Sequence, residues 1–360
     1  MKRKKQWLAI GILWAAALLF NLAARSFGGF AEWYASAIYP VWVNTIGRLL
    51  SPLPFSAVEF LLYGGILLVL YWLARGIIRL AKGKRDAGEV LLSALKKFLL
   101  TGGILLLVFT LGGGINYQRK TFGELAGLPV EKSTAEELKA LCRELAEAVN
   151  QDAEGIHRNG EGLCQVDGGL RGEAVEAMRR LGESYPFLSG YYPKPKPICV
   201  SDILSYQQVT GIYSPFTLEA NYNRDIPGYN LPHTLCHELS HLKGFMREDE
   251  ANFISYLACI FSDVPEFRYS GNLTAFVYAG NALAGADAEA YREIRSGLSE
   301  KAEKDLAYNN WFWQQFEGPV AEAATQMNNT YLKANSQEDG TKSYGRMVDL
   351  LLAYRRSRQP

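Results

Sequence analysis

The stretch HTLCHELSHLKGFMREDEANF, residues 233–253, contains His-Glu-Leu-Ser-His followed by a run of carboxylates. His237 and His241 are four residues apart, so on a helix both side chains project from one face. Two imidazole nitrogens placed in this way can reach one tetrahedral Zn²⁺ ion. Glu238 lies about 100° around the helix, where it can exchange a proton with a water beside the metal. The stretch therefore predicts a zinc site with Glu238 as catalytic residue; a pair of surface histidines on an amphipathic helix is the alternative.

A third metal ligand is expected from the carboxylates that follow. Gly244 can adopt the left-handed conformation that ends a helix, and a second helix can then begin near residue 247. Glu248, Asp249 and Glu250 would lie in its first turn, where the helix dipole favours negative charge. Glu248 and Glu250 are about 200° apart on a helix, so only one of them can face the metal. Spacing alone leaves both candidates open.

The order Glu248-Asp249-Glu250-Ala251-Asn252 resembles the ligand helix of thermolysin-type Glu-zincins. In those enzymes the ligand Glu is followed four residues later by a carboxylate or amide that hydrogen-bonds a ligand histidine. The resemblance implies Glu248 as third ligand, with Glu250 as the competing one and Asn252 in support. His233 is interpreted as a polar residue at the helix start.

A candidate substrate-binding strand precedes the metal helix, in the segment 211–223. Pro215 suits an edge strand or a bulge, and a peptide substrate can add to such an edge. The residues predicted to contact substrate are Gly211, Ile212, Tyr213 and Ser214. A purely structural hairpin is the alternative. An oxyanion donor is also required, and the candidates are Tyr206, Tyr213, Tyr331 and Tyr344.

The rest of the second half predicts an α-rich domain with one small sheet. A Ser-x-x-Glu cap at residue 133 opens a helix, and alternation of β-rich runs with turn residues places the sheet within residues 197–223. Helical patterns cover residues 171–184, 231–243, 248–262, 265–283, 287–305, 309–332 and 341–356.

The first 117 residues have the composition of a membrane domain. They hold 13 of the 38 Lys and Arg residues but only 4 of the 37 Asp and Glu residues, so their net charge is +9 and that of residues 118–360 is −8. Three apolar segments approach or reach the length that crosses a bilayer, about 20 residues. They cover residues 7–24, 58–73 and 98–117, and a cleaved signal peptide is the alternative for the first.

Basic residues predict the orientation of these spans. Four lysines and arginines precede the first span and seven lie between the second and third, whereas the loop 25–57 has two. The N-terminus is therefore expected in the cytoplasm and the domain 118–360 outside it. Within this loop, residues 31–55 are rich in Trp and Tyr, which favours a short helix on the outer membrane surface; a plain spacer is the alternative.

The acidic domain makes nucleic acid an unfavourable partner, because phosphate binding requires positive surface. Its five cysteines permit one or two disulfides outside the cytosol, and the absence of a Cys-x-x-Cys pair argues against a cysteine metal site. Most of them are expected to be buried apolar side chains.

The whole chain resembles a family of bacterial three-span membrane proteins, domain of unknown function 3810. The resemblance rests on WYASAIYP, LPFS, GIYSPFTLEANYN, HELSH, REDEANF, TYLKAN and SYGRMVDLL. It implies a mainly α fold, with three transmembrane helices and a zincin-like domain. We therefore expect a membrane-anchored zinc metallopeptidase acting on peptides or proteins outside the cytoplasm. The alternatives are a membrane sensor or scaffold with a structural zinc site, and hydrolysis of a non-peptide amide.

Overall fold

A computed structural model describes residues 2–83, 86–131, 133–166, 168–335, 337 and 346–358. The chain is 73% helical, which confirms the predicted mainly α fold with three apolar helices ahead of an α-rich domain. Its contacts divide it into two units, Met1–Arg119 with Ser214–Glu219, and Lys120–Tyr213 with Ala220–Pro360. The first unit thus ends two residues beyond the predicted boundary and includes a short segment, 214–219, that the sequence did not indicate.

The first unit contains three apolar helices long enough to cross a bilayer, which indicates membrane association. A helical segment with two π-helical turns links the first two, in the loop where a short helix was expected. The helices are α1 (Lys2–Ser26), α2 (Phe30–Trp33), α3 (Tyr39–Trp42), α4 (Arg48–Leu50), α5 (Ala57–Ala81) and α6 (Ala87–Phe109). A π turn (Thr110–Gly114) and a 3₁₀ turn (Ile115–Gln118) extend α6.

The second and third spans are longer than predicted, because basic residues continue the helices beyond their apolar windows. In the middle of α6, the Lys97 ammonium lies 4.3 Å from the ring centroid of Trp72. The Lys96 ammonium lies 5.4 Å from that of Trp7. A lysine stem that runs along an aromatic ring keeps its charge accessible to water, so such a lysine can belong to the helix. A span predicted from apolar composition alone stops at the lysine and is therefore shorter than the helix.

Two carboxylates, the partly exposed Glu32 and the buried Glu219, form contacts within the first unit. Arg119 pairs with Glu32 at 3.0 Å, and the arginine side chain is only 3% exposed. Glu219 accepts hydrogen bonds from the backbone N–H groups of Ala57 and Val58, at 3.2 and 3.1 Å. These groups begin α5, where unpaired N–H donors and the helix dipole stabilise a negative charge.

The second unit is a set of packed helices with one small three-stranded sheet of order β1-β3-β2. Strand β1 runs parallel to β3, with Lys196 opposite Asn221, and β2 is the outer strand. The elements before the helix that carries His237 and His241 are α7 (Phe122–Ala126), α8 (Ala135–Gly155), α9 (Leu170–Ser184), β1 (Lys196–Pro197), α10 (Asp202–Tyr206), β2 (Gly211–Ser214) and β3 (Glu219–Tyr222).

The remaining helices are α11 (Asn230–Leu242), α12 (Glu248–Ile260), α13 (Pro265–Ala286), α14 (Ala288–Arg295), α15 (Glu300–Gln314), α16 (Pro319–Ala334) and α17 (Met347–Ser357). Helix α12 is the centre of this unit: every residue from Glu250 to Cys259 is buried, and α11, α13, α9 and α17 pack around it. A central helix of this kind gives its first turn a fixed position.

Several predicted boundaries were wrong. The cap of α8 is Thr134 with Glu137, one residue later than predicted, because this pair forms both bonds of a capping box. The predicted helix 287–305 is two helices, since Ser299 caps a new one through Ala302 N–H. Likewise, Pro319 starts α16 within the predicted helix 309–332. The first residues of the predicted helix 341–356 lie outside the described residues.

The cysteines form no disulfide within the described part of the chain. Four of the five side chains are buried, at positions 142, 164, 236 and 259, as expected for small apolar groups.

Candidate metal centre

Helix α11 brings two imidazoles together. It begins at Asn230, tolerates Pro232 in its first turn, and runs long enough to place His237 and His241 one turn apart. Their rings meet edge to face with centroids 4.6 Å apart, and their Nε2 atoms are 3.0 Å apart. The two nitrogens therefore converge on one point beside the helix.

The turn after α11 fixes the orientation of His241. Gly244 has φ +83°, the left-handed conformation that ends the helix, and its N–H donates to His241 O at 2.8 Å. The chain reverses so that the Phe245 carbonyl lies 2.8 Å from His241 Nδ1. A carbonyl can only accept, so Nδ1 carries a proton, and the neutral form of the ring presents its lone pair at Nε2. This is the arrangement usual for a metal-binding histidine.

Helix α12 supplies the carboxylate. Glu248, its first residue, places Oε2 3.1 Å from His237 Nε2 and 3.7 Å from His241 Nε2. The competing Glu250 carboxylate faces elsewhere, accepting from Phe122 N–H at 2.7 Å and from Arg247 at 3.2 Å. The structure thus brings Glu248, and not Glu250, to the two histidines.

These three side chains fit a metal ion of zinc size. The separations between their ligand atoms are 3.0, 3.1 and 3.7 Å. They bracket the edge of a tetrahedron whose corners lie at zinc-ligand distances of about 2.0–2.1 Å, roughly 3.3–3.4 Å. Within the described residues, His237, His241 and Glu248 are the one group of this type. Two imidazoles and a carboxylate are also a common zinc ligand set.

Charge couples the members of this group. Burial alone would lower the pKa of His241, but the adjacent Glu248 carboxylate raises it to about 9. Burial would raise the pKa of Glu248, yet His241 and His237 hold it well below its usual range. The Glu248 carboxylate is therefore ionised across the physiological pH range.

Glu238 lies beside this group in a different state. Its side chain is 3% exposed, and Oε2 has no hydrogen-bond partner among the described residues. Burial raises the pKa of Glu238 to about 7, a shift that the two histidines oppose and the Glu248 charge assists. A buried, unpartnered carboxylate oxygen is uncommon. Here it indicates that a group outside the protein chain belongs next to Glu238.

Strand β2 closes against this acid. A Cβ added to Gly211 would lie 2.6 Å from Glu238 Oε1 and 2.9 Å from Thr234 Cγ2, so only glycine fits without displacement. The Tyr213 ring centroid is 6.3 Å from that of His241, whereas Ile212 is 47% exposed. Two of the predicted substrate residues, Gly211 and Tyr213, thus lie beside the candidate site.

The fourth predicted substrate residue, Ser214, is placed differently. It is buried and its hydroxyl accepts from Thr217 at 2.9 Å, inside the turn that follows β2. Its side chain therefore supports the turn. Of the other predicted oxyanion donors, Tyr206 packs edge-on against Phe316, Tyr331 is 42% exposed, and Tyr344 lies outside the described residues.

Two neighbouring polar residues have roles that spacing did not predict. His233 is buried, with Nε2 2.6 Å from Ser255 Oγ and 3.3 Å from the Asn252 carbonyl oxygen. Its ring nitrogen is thus engaged away from the group of three. The side-chain amide of Asn252 donates to Tyr278 Oη at 3.4 Å, and the partner of ligand His241 is the Phe245 carbonyl.

Tyr278 on α13 was not among the tyrosines considered from the sequence. It is half-buried, and burial together with the nearby Glu248 charge raises the pKa of its phenol to about 12. It lies in the middle of a 22-residue helix with no motif around it. No local signal distinguishes it from the other tyrosines, so only the packing of α13 on α12 could reveal it.

No curated protein and no solved structure matches this chain. One family model does, over residues 34–352, and its description is "Protein of unknown function (DUF3810)". The match begins in the first linking segment and ends in α17, so it spans both units. The chain belongs to this DUF3810 family.

Proposed function

We propose that this protein is a membrane-anchored zinc metallopeptidase. His237, His241 and Glu248 would hold one zinc ion, and Glu238 would serve as general base and then general acid. The observation that carries the proposal is the buried Glu238 carboxylate, with an unpartnered oxygen, beside three convergent ligand atoms. A purely structural arrangement gives no reason to bury an acid there.

The chemistry divides between the ion and the chain. Zinc held by such a set lowers the pKa of water and polarises a carbonyl group. Glu238 accepts the proton that the attacking water gives up and returns it to the amine that leaves. Since burial raises the pKa of Glu238 to about 7, its carboxyl group can both take and release a proton near neutrality.

The number of ligands favours catalysis over the scaffold alternative. Structural zinc sites are closed by four protein ligands, whereas catalytic sites have three and leave a position for water or substrate. Within the described chain three residues converge. The nearest further histidine, His233, is bound to Ser255 and the Asn252 carbonyl.

The outer position of β2 supports a peptide as substrate. The strand is last in the order β1-β3-β2, and Gly211 at its start lies against Glu238. A peptide that adds to this strand through main-chain hydrogen bonds would present an amide bond near the acid. Specificity would then come from alternate side chains along the peptide.

The charge distribution supports an extracytoplasmic site. Four basic residues precede the first apolar segment and seven lie between the second and the third. The loop 25–57, between the first and the second, has only two basic residues. Three crossings in this orientation would place the second unit outside the cytoplasm. Labelling of the exposed Cys199 by a membrane-impermeant maleimide in intact spheroplasts tests this, with Cys199→Ser as control. Labelling only after lysis would contradict it.

The decisive experiment compares zinc content and turnover in the full chain in detergent micelles. Wild type should bind about one zinc per chain and cleave members of a fluorogenic peptide library. Glu238→Gln should retain zinc and lose turnover by about 10²–10⁴-fold. Glu250→Gln is the matched control, because it changes a buried carboxylate on the neighbouring helix that does not face the histidines.

A zinc-loaded wild type that cleaves nothing in the library would favour the structural-site alternative. Glu238→Gln with wild-type turnover would remove the acid from the mechanism. Loss of zinc from Glu238→Gln would show that this carboxylate contributes to metal binding.

A further inference from the structure

An unassigned phenol, that of Tyr278, lies near the Glu248 carboxylate of the candidate site. Tyr278 lies on α13, and its oxygen accepts a hydrogen bond from the Asn252 amide at 3.4 Å. Asn252 follows Glu248 by four residues, one turn along α12. The phenol is therefore held against the helix that carries the proposed carboxylate ligand, and it is half-buried.

The hydrogen-bond inventory of Tyr278 leaves its proton available. A tyrosine oxygen can accept, and it has one proton to donate. Within the part of the chain that the structure describes, the bond from Asn252 is its one hydrogen bond, and this bond uses a lone pair. An amide N–H cannot accept the phenolic proton. The O–H group is thus oriented by α12 and free to donate to a group outside the protein.

Its position in the fold distinguishes Tyr278 from the other tyrosines. Tyr206 and Tyr331 are both exposed, at 53% and 42%. Tyr213 lies beside His241 on the β2 side, where the substrate strand would run. Tyr278 approaches from the Glu248 side, through Asn252. It is therefore suited to contact the carbonyl oxygen of a substrate, whereas Glu238, which lies against β2, contacts the attacking water.

We propose that Tyr278 is a further catalytic residue, the hydrogen-bond donor to the oxyanion formed from the scissile carbonyl; this rests on the proposed peptidase function. The water oxygen bonds to the carbonyl carbon, its proton passes to Glu238, and the C=O π pair moves to the oxygen. Tyr278 donates a hydrogen bond to that oxygen and retains its proton. As the C–N bond breaks, the amine takes the proton from Glu238.

The first test is Tyr278→Phe in the zinc-loaded full chain, with Tyr206→Phe as the matched control, since the Tyr206 ring is exposed and packs on Phe316. Removal of one oxyanion donor typically lowers kcat by about 10²–10³-fold. We expect that loss for Tyr278→Phe on the best-cleaved library peptide, with KM and zinc content unchanged, and a much smaller loss for Tyr206→Phe. A kcat equal to that of wild type, or a loss confined to KM or zinc content, overturns the proposal.

The second test does not require turnover. Phenylphosphonate carries a tetrahedral anion like the proposed oxyanion, and its affinity for the zinc-loaded chain can be measured by calorimetry. Tyr278→Phe should weaken that affinity at least about tenfold, the loss of roughly one charge-assisted hydrogen bond. Unchanged affinity, or no phosphonate binding by wild type, overturns the donor role.

The two tests separate the two proposals. A wild type without turnover whose phosphonate affinity depends on Tyr278 contradicts the peptidase function and supports the donor. A wild type with turnover that is indifferent to Tyr278 supports the peptidase and contradicts the donor. An unchanged melting temperature of Tyr278→Phe confirms that the variant folds.

Discussion

The two helices that frame the candidate site, α11 and α12, acquire their functional residues by different rules. On α11 the spacing of His237 and His241 alone places both rings on one face, and the structure has their Nε2 atoms 3.0 Å apart. On α12 two glutamates in the first turn were equivalent by spacing. The Glu250 carboxylate instead accepts a hydrogen bond from Phe122 N–H, which is 128 residues away in the chain, and so does not face the histidines. On α11, local periodicity determines which residues face the candidate site. On α12, contacts with residues distant in the chain determine it.

The same two helices give two glutamates opposite electrostatic states. Burial raises the pKa of Glu238 on α11 to about 7, while the histidines hold the pKa of Glu248 on α12 well below its usual range. Contact explains the difference, because Glu248 Oε2 lies within 3.1 Å of an imidazole nitrogen whereas Glu238 Oε2 has no partner in the described chain. An acid kept near neutrality suits proton transfer, and one kept ionised suits a ligand.

The largest effect that tests this division is on zinc affinity. Glu248→Ala removes a ligand and should weaken zinc binding more than the 10–100-fold typical of residues that only support a ligand. Glu250→Ala should leave zinc affinity unchanged, although it leaves Phe122 N–H buried without an acceptor and should lower the free energy of unfolding by about 1–3 kcal/mol. Competition with a chromogenic chelator measures the first quantity, and urea unfolding measures the second. A larger loss of zinc affinity in Glu250→Ala would reverse the assignment.

The difference between α11 and α12 also explains how much of the fold can be predicted from the sequence. The mainly α fold, the three apolar helices and the His-Glu-Leu-Ser-His helix follow from composition and periodicity, which are local. The break of the predicted helix 287–305 at Ser299 was missed, because apolar periodicity continues across the cap. The grouping of residues 214–219 with the first unit was also missed, since it depends on Glu219 binding two N–H groups more than 160 residues away.

Within the site, residues selected by spacing could be predicted and residues selected by packing could not. Tyr278 has no motif, and its position depends on how α13 packs on α12. The Phe245 carbonyl that orients His241 is a backbone atom, and any residue at that position would supply it. Asn252 was predicted from a resemblance to support a ligand histidine, yet its amide donates to Tyr278, and the Phe245 carbonyl is the partner of His241.

A smaller effect tests the close fit of α11 against β2. Gly211→Ala would place a Cβ 2.6 Å from Glu238 Oε1 and 2.8 Å from its Cγ, so the acid must move. Overpacking of this kind typically costs about 1–3 kcal/mol, and turnover should fall with zinc content unchanged. The same substitution in a Glu238→Ala background should be less destabilising, because the two clashing glutamate atoms are gone and only the Thr234 Cγ2 contact at 2.9 Å remains. Equal destabilisation in both backgrounds would place the strain elsewhere, as a double-mutant cycle would reveal.

The smallest effect is on the number of protons released when zinc binds, to which Glu238 and Glu248 contribute differently. In the zinc-free chain the pKa of His241 is about 9, above its ordinary 6.5, so its contribution to stability is full below pH 6.5 and is lost as the pH rises through 9. Zinc requires the neutral imidazole, so binding must release this proton. At pH 8 the pKa of Glu238, about 7, leaves that acid already mostly ionised, and His241 becomes the main source of the released proton.

Glu248→Gln removes the charge that raises the His241 pKa and should release about one proton fewer per zinc than wild type. Calorimetry in buffers of different ionisation enthalpy measures this difference, and equal release by both proteins would mean that Glu248 does not hold the proton on His241.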